Sequence, residues 1–200
     1  MEMKPIDFHA ETSRLKEVGM FEGADRVFFY VEGAAEHIRA GLKHFVGAGA
    51  MWLPEYDEVA AWLSNNDGRG LLCAGNVGRG KTVLCCKVLP CIIHSAANKL
   101  IAQYKARDLG AKLSEATARK LVCVDDIGTE GELVDFGNHI AAVPTLVDIA
   151  ERRGNLLLLT TNLSFAELKK KYGERTTDRL RAICKTVIFR GDSMRAKHSF

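Results

Sequence analysis

The chain has 200 residues and a net charge of +3, with 47% hydrophobic and 26% charged residues. Such a length suits one compact domain with a modest appendage, and the composition is ordinary for a soluble globular protein. No apolar run reaches membrane-spanning length, and the N-terminal MEMKPIDFHAETSR lacks the apolar core of a signal peptide, so a cytoplasmic protein is expected.

Charge is unevenly spread. From Lys169 to Phe200 there are ten Lys or Arg against three acids, a net of +7, so the rest of the chain sums to −4. A basic face there suits nucleic acid or nucleotide phosphates, and solvated helix charges explain it equally well. Cys73 and Cys123 sit in apolar strand runs, Cys85, Cys86 and Cys91 on an apolar helix, and Cys184 alone. None makes a C-x-x-C pair, which favours buried reduced thiols over zinc or disulfides.

In chain order, residues 11–20 read as a short helix and 24–45 as a longer one. Its stripe is Val27, Phe28, Val31, Ala35, Ile38, Leu42 and Phe45, weakened by Gly33 and Gly41. The sequence GAGAMWLPEY then breaks the pattern, a short helix is expected over 57–63, and Asn65-Asn66-Asp67-Gly68 reads as a turn. From Gly70 strands and helices alternate. Strands are expected over 71–74, 99–104, 121–125, 156–160 and 186–189. Helices are expected from Thr82 toward Ala97 and over 106–118, 143–153, 165–172 and 177–183. Ser164 with Glu167 three residues on makes a capping box for the helix at 165. Unbroken apolar strands alternating with helices imply a parallel sheet covered on both faces.

The organising stretch is GLLCAGNVGRGKTVL, residues 70–84, in which Gly75, Gly80, Lys81 and Thr82 fit G-x-x-x-x-G-K-[ST] between a strand and a helix. The loop Gly75, Asn76, Val77, Gly78, Arg79, Gly80, with Val83 opening the helix, would turn consecutive N–H groups inward as an anion nest at a positive helix end. Lys81 would reach β- and γ-phosphates, and the Thr82 hydroxyl would ligate Mg²⁺. The third strand ends in Asp125-Asp126. Asp125 is placed as the outer partner that Mg²⁺ needs, and Asp126 to polarise an attacking water. The fourth strand ends in Thr160, Thr161 and Asn162, where a polar side chain can meet that water or the γ-phosphate.

GNVGRGKT, LVCVDDIGTE, LLLLTTNLSFAEL, YGERTTDRLR and FRGDSMR, in this order, resemble the DnaC/IstB-like family of AAA+ ATPases over about residues 52–195. The resemblance implies an α/β P-loop core of AAA+ type. Its parallel sheet would have five strands in the order 5-1-4-3-2, flanked by helices. ATP-dependent homo-oligomers, in which a neighbour completes each site, are implied as well. Carried over by motif, Asn162 resembles sensor 1, Arg179 in DRLR the arginine finger, and Arg195 in GDSMR the sensor 2 arginine. The role of Arg175 is left open. Residues 1–50 are then a short helical N-terminal extension and 51–200 the ATPase core, with no lid domain expected after Arg195. Asp126 stands where most AAA+ enzymes carry glutamate, which suggests slow hydrolysis or water relayed through Glu130. The Arg79 side chain is expected to point outward.

The reading is a Mg²⁺-dependent ATPase acting as a helicase-loader-like switch in DNA replication. Its partners would be a replicative helicase and single-stranded DNA, with no membrane. Alternatives are a transposition helper with a transposase, and a non-catalytic ATP-bound interaction module. A small-molecule phosphotransferase fits the DRLR and TTN motifs poorly. A GTPase lacks its guanine-reading N-K-x-D after the fourth strand.

Overall fold

A computed structural model describes residues 6–20, 25–130, 133–135 and 138–194. Helix α1 covers Phe8–Glu17, α2 Ala34–Val46 and α3 Pro54–Ser64. Strand β1, Gly70–Gly75, leads through the glycine loop into α4, Lys81–Val83. That helix runs on through a π turn, Leu84–Val88, into α5, Leu89–Ala97. Then come β2 (Ala102–Lys105), α6 (Ala106–Leu109), α7 (Leu113–Ala118) and β3 (Leu121–Asp125). An antiparallel hairpin of β4 (Leu133–Asp135) and β5 (Asn138–Ile140) precedes α8 (Ala142–Arg153), β6 (Leu156–Thr161), α9 (Phe165–Tyr172), α10 (Glu174–Ile183) and β7 (Cys184–Phe189).

Five strands form one parallel sheet in the order β2-β3-β6-β1-β7. Leaving the hairpin aside, this is the expected order 5-1-4-3-2. β1 and β6 are buried along nearly their whole length, because helices cover both faces and an apolar residue is needed at every position. One core layer joins Ile38, Leu42, Tyr56, Leu63, Leu84, Val88 and Phe189 to one face of the sheet. The other joins Leu109, Val143, Leu146, Val147, Leu168 and Leu180 to the opposite face.

Residues 25–31 form neither helix nor strand. Val27, Phe29 and Val31 are buried while Phe28 and Tyr30 are exposed, a period of two that replaces the expected helical stripe. The buried Asn66 fixes this segment: its Nδ2 donates to Val27 O at 2.8 Å and its Oδ1 accepts from Phe29 N at 3.0 Å. The helix begins only after Gly33, whose φ of +62° makes the turn into α2. The stretch 106–118 is two short helices interrupted at Gly110, not one.

Candidate functional site

Parallel strands point their carboxyl ends at one edge, and β1, β3 and β6 bring their last residues together there. The phosphate loop follows β1, Asp125 ends β3 with Asp126 directly after it, and Thr160-Thr161-Asn162 end β6 and open the next turn. Asp125, Asp126, Thr160 and Asn162 line a cavity of about 620 Å³ with Tyr56, Val77, Gly78, Arg79, Gly80, Lys81, Thr82 and Val83. Its volume lies within the range of about 300–1,000 Å³ usual for small-molecule sites. Leu42, Val46 and Met51 give the same cavity an apolar end.

Gly75 has φ +120°, and a Cβ there would sit 2.1 Å from Phe189 O. Only glycine lets the loop leave β1 so close to β7. At Gly80, φ is +83° and a Cβ would meet the Tyr56 hydroxyl at 2.6 Å. Lys81 arches back over the loop. Its Nζ donates to Gly75 O at 2.8 Å, Asn76 O at 2.7 Å and Asn162 Oδ1 at 2.9 Å. Burial draws the lysine's pKa below its ordinary value, and the carboxylates of Asp126 and Asp125 act against that.

Next to it Asp125 Oδ1 accepts from the Thr82 hydroxyl at 2.9 Å and the Thr160 hydroxyl at 2.6 Å. Asp126 has φ +63°, and its N–H is held by Thr160 Oγ1 at 2.7 Å. This turn separates the two carboxylates: Asp126 Oδ1 instead accepts from Asn162 Nδ2 at 2.9 Å. Burial and the neighbouring Asp125 charge raise the Asp126 pKa, while Lys81 opposes the shift. Thr160 is thus the hinge of the site, since one hydroxyl orients both acids.

The donor set suits a nucleoside triphosphate with Mg²⁺. A glycine loop with one buried lysine matches polyphosphate, and the touching Thr82 and Asp125 oxygens match a hard cation that keeps several waters. Among the described residues no three His, Cys, Asp or Glu converge to hold a metal by themselves. Bound there, Mg²⁺ would neutralise phosphate charge.

Solved structures share the architecture. The crystal structure of the DnaC helicase loader matches with TM-score 0.53 and 17% identity, over 81% of this chain and 93% of that one. That of DnaI matches with TM-score 0.51 and 17% identity, over 64% of this chain and 73% of that one. The chain shares the fold of these two structures, a five-stranded parallel sheet with helices on both faces. No protein-family model and no curated protein matches the sequence.

Within this fold the remaining sequence candidates scatter. Arg179 does not line the phosphate cavity. It ion-pairs with Asp148 and with Glu151 Oε2, the latter at 2.7 Å, both on α8. The partners considered from sequence, Glu174 and Asp178, are not the ones it takes; Glu174 pairs with Lys169 at 2.6 Å. Arg175, one turn earlier on α10, is 81% exposed and only 4.0 Å from Asp148. Arg195 lies outside the described residues.

Glu130 is no free relay. One of its oxygens accepts from Gly128 N at 2.8 Å, and the other takes the Tyr172 hydroxyl, tying the turn after β3 to α9. Arg79 does not point outward either. Its side chain is 13% exposed and lies 3.6 Å from Glu55 Oε1. Sequence reading missed Glu55 and Tyr56, and the only available signal was Pro54 opening a helix one residue before them.

Proposed function

We propose that the chain binds Mg²⁺-ATP in the cavity at the end of β1, hydrolyses it slowly, and uses the nucleotide as an assembly and release switch in DNA replication. The observation that carries this is the convergence of Lys81, Thr82, Asp125, Asp126 and Asn162, from three strand ends, within one hydrogen-bonded set. Gly75, Asn76, Val77, Gly78, Arg79, Gly80 and Val83 supply the phosphate-facing backbone. Thr82 and Asp125 hold the metal, and Asp126 with Asn162 positions and activates water. Arg179, and Arg195 near the chain's end, act on the phosphates once copies assemble into a homo-oligomer, and Arg179 must first leave its carboxylates on α8.

One of the matched structures is by name a helicase loader. By that likeness a replicative helicase is the partner proposed here, in the cytoplasm, with single-stranded DNA on basic residues of the C-terminal third. Residues 1–50 serve as a helical extension to the core at 51–200. No helix among the described residues is long and apolar enough to cross a membrane. ATP turnover measured with and without single-stranded DNA tests the switch. DNA-dependent turnover, with capture of the replicative helicase from the native host, is the expected result. Capture of a transposase instead would make it a transposition helper, and ATP binding without turnover would make it an interaction module.

A further inference from the structure

The phosphate loop is clasped from behind. Asn76 N donates to Phe189 O at 2.9 Å, Asn76 Nδ2 to Gly191 O at 2.8 Å, and Met194 N to Gly78 O at 3.0 Å. Arg79 joins the clasp through its guanidinium, with Nη1 3.4 Å from Asp192 O. These contacts run to the last residue of β7 and to the segment leaving it. A separate element, the first turn of α3, closes the arrangement through Glu55.

Glu55 is 8% exposed although it is a carboxylate. Its Oε1 accepts from Arg190 N at 2.8 Å and faces Arg79 Nη2 at 3.6 Å. Glu55 Oε2 and Arg79 Nε are buried without a hydrogen-bonding protein partner. So many buried polar atoms around one glutamate are costly unless the charges offset each other. The pair is therefore electrostatic and not a saturated hydrogen-bonded fork. Arg79 also borders a second cavity of about 650 Å³, lined as well by Glu58, Thr186 and Ile188.

We propose that Glu55 is a positioning residue for the phosphate loop: through Arg79 and the Arg190 N–H it fixes the loop's backbone donors toward the nucleotide and fastens them to the segment leaving β7. The proposal rests on the nucleotide-binding reading of the cavity. Gly75, Gly78 and Gly80 themselves offer the loop no side-chain anchor, and an anion nest works only when its N–H groups are already aimed. Beside Asn76 and Lys81, Arg79 is the loop side chain that reaches the first turn of α3. Glu55 is the residue it meets there.

Glu55→Gln tests this, because it keeps an acceptor for Arg190 N and removes only the charge. Titration with a fluorescent ATP analogue and Mg²⁺ should give about tenfold weaker binding, the size of one lost charge-assisted contact. The loss should fall on KM, with kcat changing far less. Arg79→Met should behave alike, and Glu55→Gln/Arg79→Met should be no weaker than either alone, as one shared contact requires. Hydrogen exchange read without nucleotide should quicken at residues 76–80 and 190–194 in both variants, while α9 and α10 stay unchanged. Wild-type exchange there, or losses that add in the double variant, would overturn the proposal. If the unmodified protein binds no ATP, the nucleotide reading fails, and the exchange measurement alone then decides the role of Glu55.

Discussion

Two cations carry the proposed chemistry, and the molecule treats them in opposite ways. Lys81 is buried, yet it meets neutral carbonyl oxygens from Gly75, Asn76 and Asn162, with the two acids close by. Its charge is held in place but not spent, ready for an anion entering the cavity. Arg179 is less buried, at 20% exposed, and is neutralised by Asp148 and Glu151 of its own chain. A positive charge paired with carboxylates offers little to a phosphate until that pairing breaks. The loop side of the core is thus preorganised within one chain, whereas the α8–α10 side must exchange partners before it can act on anything else.

Removing the preorganised cation should have the largest effect. Lys81→Ala should cost about 100-fold or more in Mg²⁺-ATP affinity, since a triphosphate in a low-dielectric pocket would lose its loop cation. Calorimetric or fluorescence titration reads this, and unchanged affinity would dissolve the contrast between the two sides. The fold should survive, because the lysine head meets carbonyls at the cavity and not apolar core.

Next in size is Asp126→Asn. ATP binding should persist while turnover falls about 100-fold, as expected for a lost general base. Asn162 Nδ2 would then face an amide, which can still accept through its oxygen, so the geometry should hold. The pH profile gives a second reading. Burial and the Asp125 charge raise the Asp126 pKa in the free enzyme, so the acid limb of kcat/KM should lie above the ordinary carboxylate range. Activity should be lost as pH falls through that raised value, because the base works only when ionised. Asp125→Asn should instead weaken Mg²⁺-dependent binding, which separates the two acids by measurement.

The same contrast explains what was legible in the sequence. β3 and α9 fall on the residues expected for them, because an apolar run ending in acids and a Ser164–Glu167 capping box are local signals. The phosphate loop is legible for a related reason: its chemistry is mostly backbone, and glycine positions report backbone directly. Residues 25–31 were misread because Val27, Phe28, Phe29, Tyr30 and Val31 are all apolar, so no period could be chosen. What settles them is the Asn66 side chain, which bonds to Val27 and Phe29 from 39 and 37 residues away. Glu55 was invisible likewise, since it meets Arg79 and Arg190 only after folding. The π turn at Leu84–Val88 and the β4–β5 hairpin left no pattern to read.

On the α8–α10 side, effects should be smaller and fall first on stability. Arg179→Ala leaves Asp148 and Glu151 facing each other with less compensation, although Arg152 remains 3.1 Å from Asp148. A loss of about 1–2 kcal/mol is expected for such a partly exposed cluster. A thermal melt reads it, and a melt equal to wild type would mean that the clamp does not hold α10. In the assembled protein the variant should also bind ATP nearly normally and lose turnover. Mixed with Lys81→Ala protein it should regain some activity, because each copy supplies what the other lacks.

Arg175→Ala should do least, and for that reason it sharpens the comparison most. Arg175 and Arg179 stand four residues apart on α10 and so project from one face. They differ in commitment: Arg175 is 81% exposed and 4.0 Å from Asp148, a contact that solvent screens almost completely. Its removal should leave stability within about 0.5 kcal/mol of wild type. Turnover should stay near wild type as well if Arg179 is the arginine that serves a neighbouring copy. The opposite pattern is equally clear to measure. If Arg175→Ala abolishes turnover at an unchanged melting temperature, and Arg179→Ala lowers only the melting temperature, the roles reverse. Arg179 then ties α10 to α8 within one chain, and the exposed Arg175, one helical turn away, is the charge lent to the neighbour.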